Sequence, residues 1–380
     1  MKKNWMVAST GFAFFSMFFG SGNLVYPLIA GKASEGHVAE AAIGFLLTGV
    51  LVPFLGVLGM MLFQGDLQQF FRPFGKKGTW LFSLFALSLM GPFGVLARCL
   101  TVAHGALSLL IDPLSLPLTS LALCAIVYVL TVNKSKIVSR LGVLLTPFLL
   151  GSIALIAVFG LNQAESMPAQ NIEKLASFKT GFFQGYQTMD LLAAFFFSTF
   201  IIQHLYQTLS TECGGKTALS IFCRAAFLGA GLLALVYVAL VMLGWNYASV
   251  LSENLPQKML GTIAIASLGN FAAPIVCIAV VLACLTTAIV LTSLFADFLK
   301  REVLANKIEL PSSIVLTLLI GFSVSTLDFN GIAQFLGPIL DVIYPALIVL
   351  TVVNIACKLC EVRASHWPFT LTIAAKLCLI

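Results

Sequence analysis

Apolar residues fill this chain in long stretches, and polar or Pro/Gly clusters such as Arg72-Pro73-Phe74-Gly75-Lys76-Lys77 separate them. A helix that crosses a bilayer needs about 20 apolar residues. On that measure the pattern predicts eleven spans, at approximately 5–30, 38–63, 79–109, 115–132, 138–160, 181–209, 218–245, 270–298, 311–327, 331–356 and 366–380. Residues 246–269 are too polar to cross and predict a short interfacial helix around Met259 to Leu268.

Two of these stretches carry polar interruptions. Gly20-Ser21-Gly22-Asn23 sits in the middle of the first span, and Gly185-Tyr186-Gln187-Thr188-Met189-Asp190 sits in the sixth, about 165 residues later. Glycine weakens a helix by about 1 kcal/mol relative to alanine. Backbone that leaves the helix at membrane depth is tolerated only where protein buries it or where it lines a cavity. Broken helices in corresponding halves of a membrane protein point to a transporter's binding site.

Composition agrees. The chain of 380 residues is 59% hydrophobic and 9% charged, against about 25% charged for a soluble domain. A polytopic all-α membrane protein follows, with no room for a soluble domain. No small-residue cleavage site follows the first apolar stretch, so the first helix is expected to be retained. Nine scattered cysteines, several inside apolar runs, argue against a disulfide framework, and Cys357 and Cys360 have CxxC spacing without a second pair.

Lys and Arg set the orientation. With the N-terminus in the cytoplasm, fifteen fall inside (Lys2, Lys3, Arg72, Lys76, Lys77, Lys134, Lys136, Arg140, Lys216, Arg224, Lys300, Arg301, Lys307, Lys358, Arg363). Only Lys32, Lys174, Lys179 and Lys258 fall outside, while Arg98 and Lys376 lie within apolar segments. The net charge of +6 therefore reflects topology, and no nucleic-acid partner is expected. Spans one to five and six to ten each open with a broken helix, and because five is odd the second set enters from the opposite side. That is the 5+5 inverted repeat of LeuT-type transporters. The ten-helix core is expected over 1–360, with repeats at about 5–160 and 181–356, and one additional C-terminal helix over 361–380.

Several stretches, in order, carry a family resemblance. They are Gly11-Phe12, Phe19-Gly20-Ser21-Gly22-Asn23-Leu24 and Tyr26-Pro27, then Gly44-Phe45-Leu46-Leu47-Thr48-Gly49-Val50. Gly181-Phe182, the Gly185 to Asp190 segment, Ala283-Cys284-Leu285-Thr286-Thr287-Ala288 and Ile343-Tyr344-Pro345 complete the set. Over roughly residues 10 to 355 the chain resembles the branched-chain amino acid:cation symporter family of bacteria. The resemblance implies a LeuT-like fold and uptake of leucine, isoleucine and valine driven by sodium or protons across the bacterial plasma (inner) membrane. The chain departs from that family at Ala97, where a proline is expected, at Asp341, where a small neutral residue is expected, and in ending near an eleventh span where members have twelve.

An amino acid at the bilayer midplane needs donors for its carboxylate, acceptors for its ammonium and an apolar pocket. Unwinding at Gly20, Ser21 and Gly22 frees N–H groups at the positive end of a half-helix, which attracts an anion, and glycine lets a ligand come close. Asn23 is a candidate cap or ligand. Tyr186, Thr188 and Met189 are candidate pocket residues. Asp190 can accept the ammonium, relay a proton or cap the second half-helix. By resemblance to LeuT-type sodium sites, the hydroxyls of Thr286 and Thr287 would meet the carbonyls of Ser16, Phe19 and Ala283 on a sodium ion, the coupling ion in the absence of any other cofactor. Threonines in apolar helices also commonly bond their own backbone.

Intramembrane charges are functional candidates. Arg98 and Asp341, each alone on an apolar helix, are expected to pair as an outer gate. His104 and His204 read as satisfied core histidines. No metal-ligand spacing, nucleotide loop or nucleophile motif is present, so no enzyme is expected. A symporter for another apolar or aromatic amino acid, such as methionine or tryptophan, is the alternative; a channel or intramembrane enzyme is the reading from another class. The sequence leaves the choice of sodium or proton, and the oligomeric state, open.

Overall fold

Long apolar runs become long helices, and their order along the chain follows the hydropathy pattern closely. The computed structural model describes residues 2–111, 113–132, 136–163, 173–209, 215–252, 255–362 and 365–378, and no strand occurs among them. Lys134, Arg363 and the side chain of His204 lie outside the described residues.

The first span is two helices, α1 (Lys2–Phe18) and α2 (Ser21–Lys32), bent by 72°. The second runs through α3 (Val38–Leu46), a π-helical turn at Leu47–Leu51 and α4 (Val52–Leu62). After the short α5 (Leu67–Phe70), the third comprises α6 (Gly75–Met90) and α7 (Val95–Ser108). Then come α8 (Leu116–Val132) and α9 (Lys136–Gln163), and the broken sixth span, α10 (Lys174–Tyr186) and α11 (Asp190–Leu209), bent by 40°. The rest is α12 (Gly215–Asn246), α13 (Met259–Phe298), α14 (Leu310–Ser325), α15 (Asp328–Leu359) and α16 (Trp367–Leu377). Five described helices are long and apolar enough to cross a membrane, or seven if each bent pair is one span; three shorter apolar helices accompany them.

The third span is not the continuous helix its hydropathy suggests. Gly91-Pro92-Phe93-Gly94 interrupts it, with Gly94 at φ −142° and ψ −93°. Pro92 has no N–H to give the helix ladder. The short helix expected around Met259 to Leu268 is present as the first part of α13, which turns at Gly269 (φ 74°, ψ 175°) before the long span. The 11 residues of α16, at about 1.5 Å of rise each, reach only about half the hydrocarbon thickness.

Packing repeats between the two halves. Gly11 of α1 and Gly229 of α12 face one another: a Cβ on Gly229 would lie 3.0 Å from Gly11 O, and one on Gly11 would lie 3.1 Å from Ala225 O. Gly181 of α10 and Gly44 of α3 do the same, since a Cβ on either would strike the backbone of the other helix, at Ala41 O and Phe178 O respectively. Each pair joins the first half of one broken helix to the span that follows the other broken helix. Small residues at both faces let two membrane helices approach backbone to backbone. This cross-brace ties each broken helix to the other half of the fold.

Candidate functional site

The first break is narrower than the sequence suggests. Only Phe19 and Gly20 leave the helix, and Gly20 is extended (φ −117°, ψ −167°). Its N–H, which an unbroken helix would give to Ser16 O, goes to Phe18 O at 3.0 Å and to Asn23 Oδ1 at 3.1 Å. Asn23 thus reaches back over the first turn of α2, as the third residue of a capping box does. Ser21 and Gly22 are the first residues of α2, where N–H groups have no partner within the helix.

The second break runs over Gln187, Thr188 and Met189. Met189 has φ 61°, a left-handed conformation that a side chain other than glycine adopts at some cost. Thr188 Oγ1 donates to Gly185 O at 2.9 Å and closes the end of α10. The break is held from the side as well. The hydroxyl of Thr48, in the π-helical turn, donates to Phe182 O at 2.7 Å, and only a glycine at position 185 leaves room for it.

The two breaks meet at a polar junction. Asn23 Nδ2 donates to Asp190 Oδ2 at 2.7 Å and also contacts the hydroxyl of Tyr237, which itself donates to Asp190 Oδ2 at 3.0 Å. All three side chains are buried. Asp190 Oδ1 accepts none of these bonds, and no basic group of the described residues forms an ion pair with this carboxylate. A Cβ on Gly22 would lie 3.6 Å from Thr188 Cα and 3.4 Å from the ring of Tyr26, so the α2 N-terminus, the second break and that ring form one wall. Tyr186 packs its ring 5.0 Å from that of Tyr344, and Met189 is buried.

On the other side of the first break stands α13. A Cβ on Gly20 would lie 3.5 Å from Thr287 Cγ2 and 3.8 Å from its Oγ1. The hydroxyls of Thr286 and Thr287 both donate to Ala283 O, at 2.9 and 3.0 Å. A threonine hydroxyl that has donated its proton keeps its lone pairs. Phe19 is buried and Ser16 lies on an exposed part of α1.

The expected Arg98 to Asp341 pair does not form. Arg98, 1% exposed, donates from Nη1 to Gln187 O at 2.7 Å and from Nη2 to Gln187 Oε1 at 3.1 Å. Its Cζ lies 5.0 Å from the ring centre of Tyr26 and 5.8 Å from that of Phe329. Asp341 lies half-buried on α15 without an ion-pair partner among the described residues. Complementary charge suggested the pairing, but the turn after Tyr186 offers a carbonyl and an amide oxygen to the guanidinium instead. Sequence reasoning also missed Tyr237 and Gln187. A lone phenol in the apolar α12 was the available signal for Tyr237, since buried tyrosine hydroxyls usually find a partner. His104, by contrast, is a satisfied buried histidine, with Nδ1 3.1 Å from Thr119 Oγ1.

A cavity of about 740 Å³ opens at one end of the molecule, with Tyr26, Glu35, Gln184, Gln187, Phe329 and Asn330 among its lining residues. Tyr26, Gln187 and Phe329 line it and each also meets Arg98.

The architecture is similar to that of solved transporters. An inward-facing conformation of Mhp1 superposes with a TM-score of 0.65 at 14% identity, covering 92% of this chain and 76% of that one. A closed conformation of Mhp1, described as a nucleobase-cation-symport-1 family transporter with bromovinylhydantoin bound, gives 0.58 at 16% identity, covering 98% and 90%. Two broken helices meeting within such a frame define the class by its fold, which is of LeuT type. Within it, the chain belongs to the branched-chain amino acid transport protein family, whose profile matches residues 2–380. A branched-chain amino acid permease of Bacillus subtilis, BraB, is 30% identical over 365 residues, covering 93% of this chain and 80% of that protein. The chain is accordingly a membrane transport protein and not an enzyme.

Proposed function

We propose that the chain is a secondary symporter that imports leucine, isoleucine and valine by alternating access, with sodium as the coupling ion. The observation that carries this reading is the junction of Asn23, Asp190 and Tyr237, which ties both broken helices to one buried carboxylate. The N–H groups of Ser21 and Gly22 at the positive end of α2 take the substrate carboxylate. Asp190 Oδ1 takes the ammonium, and Tyr186, Thr188 and Met189 face the branched side chain.

Sodium binds between the first break and α13, on the hydroxyl oxygens of Thr286 and Thr287 and the carbonyls of Ser16 and Phe19. Hard cations prefer such oxygen ligands. Ala283 O already accepts both threonine hydroxyls, so it joins that set only by releasing one of them. A bound cation would lock the bend at Gly20 and so order the carboxylate site.

In this reading the transporter core is 1–360, α16 lies outside it, and the protein sits in the bacterial plasma membrane with its N-terminus in the cytoplasm. The 740 Å³ cavity then faces outward. Uptake of labelled leucine into proteoliposomes tests the whole: accumulation should follow an inward sodium gradient and saturate. Accumulation indifferent to both sodium and proton gradients overturns symport, and preferential competition by methionine or tryptophan over isoleucine and valine overturns the substrate assignment.

A further inference from the structure

Arg98 is a buried guanidinium whose partners are all neutral. It holds Gln187 O and Gln187 Oε1, lies against the rings of Tyr26 and Phe329, and leaves its Nε–H without an acceptor. Glu35, which lines the cavity above, makes no ion pair with it. A buried charge without a counter-charge is costly, and a carboxylate meets a guanidinium with two parallel hydrogen bonds and an opposite charge, where a neutral oxygen offers only the hydrogen bond. Gln187 thus meets two of the guanidinium's donors and leaves its charge without a counter-charge among the described residues.

The position of this guanidinium gives it a use. Tyr26, Gln187 and Phe329 line the open cavity on one side. On the other, the Tyr26 ring lies over Gly22, and the rings of Tyr26 and Phe329 are 5.5 Å apart. These three side chains line the cavity and each also meets Arg98. Arg98 pins this layer of three side chains, and through Gln187 it also pins the second break.

We propose that Arg98 is an anion-receiving latch on the entry route. The α-carboxylate of an incoming amino acid replaces the two Gln187 acceptors on the guanidinium, and their loss frees Gln187 and opens the layer. The planar fork of arginine matches the two oxygens of a carboxylate. The latch thus admits solutes that carry the group the deeper site must bind, before that site is reached. It rests on the transport reading and on the outward orientation of the cavity.

Cys99 reports on the layer. It follows Arg98 on α7, is 1% exposed, and donates its thiol to Ser21 Oγ at 3.4 Å. Its labelling by a membrane-impermeant thiol reagent is measured on the full chain in sealed right-side-out vesicles, with Cys99→Ser giving the background. Isovalerate, a carboxylate without an ammonium, should speed Cys99 labelling several-fold, whereas leucinamide, an ammonium without a carboxylate, should not. Gln187→Ala should speed labelling without any ligand. Gln187→Glu, which gives the guanidinium a built-in carboxylate, should slow it below wild type and abolish the isovalerate effect. A rate unmoved by isovalerate, leucinamide as effective as isovalerate, or Gln187→Ala and Gln187→Glu shifting the rate in the same direction overturns the latch. The isovalerate and leucinamide arms need no variant of the latch and so decide even if Gln187→Glu misfolds. Leucine uptake is followed in the same vesicles: the expected labelling without uptake counts against the transport reading and leaves the latch standing.

Discussion

Asp190 concentrates the chemistry of the site in one carboxylate. Asn23 and Tyr237 both bond its Oδ2, so that oxygen is held by the protein, and Oδ1 is the one proposed to meet a ligand. Holding and binding should then separate by mutation. Asp190→Asn keeps the shape but removes the charge, and leucine affinity should fall by tenfold or more, about 1.4 kcal/mol, in equilibrium binding on purified protein. Asn23→Ala and Tyr237→Phe act on one shared oxygen, so their effects should not add, with a coupling energy of about 0.5–3 kcal/mol. Additive effects in that double-mutant cycle would mean the three side chains do not work as one junction. Thr287 is separable from both. Its hydroxyl is close to Gly20 but bonds only Ala283 O, so Thr287→Ala should raise the sodium half-saturation of uptake several-fold while leucine binding at saturating sodium stays near wild type. A sodium half-saturation unchanged by Thr287→Ala removes α13 from the proposed cation site.

At the level of helices, the cross-brace of glycines makes sharp predictions. Gly44 and Gly181 have backbone of the opposing helix where a side chain would go, whereas a Cβ on Gly231, on an exposed part of α12, meets nothing within 4 Å. Gly181→Leu should therefore drive α10 from α3 and abolish a folded, monodisperse protein in detergent. Gly231→Ala should be tolerated and should raise thermal stability, since alanine favours a helix over glycine by about 1 kcal/mol. Equal melting temperatures for Gly181→Leu and Gly231→Ala would remove the brace. The breaks themselves were legible because glycine and polar residues stand out in an apolar run. The interruption at Gly91-Pro92-Phe93-Gly94 carried the same signal, but the surrounding hydropathy was strong enough to mask it. Tyr237 was not legible as a site residue, because nothing along α12 says that its face meets Asn23 and Asp190. That convergence comes from helix packing. Arg98 shows the converse: its isolation was plain, but its partner is a carbonyl and an amide on a turn, groups that no charge pattern reveals.

For the whole molecule, the unequal distribution of basic residues does what pairwise contacts cannot, since it supports the proposed orientation with the N-terminus in the cytoplasm. Fifteen Lys and Arg on one side against four on the other is a large bias for short loops, and each such charge resists translocation. In that proposed orientation the cavity above Tyr26 faces outside, which sets the direction of the route. Two exposed positions at opposite ends test it. Asn330 lines the cavity and is exposed, while Cys360 is exposed just beyond α15 at the other end. In intact cells an impermeant thiol reagent should label an Asn330→Cys variant and leave Cys360 unlabelled until the membrane is permeabilised. The reverse result would put the cavity in the cytoplasm. Arg98 and Gln187 would then guard the exit of an importer, and the carboxylate that opens the layer would arrive from inside.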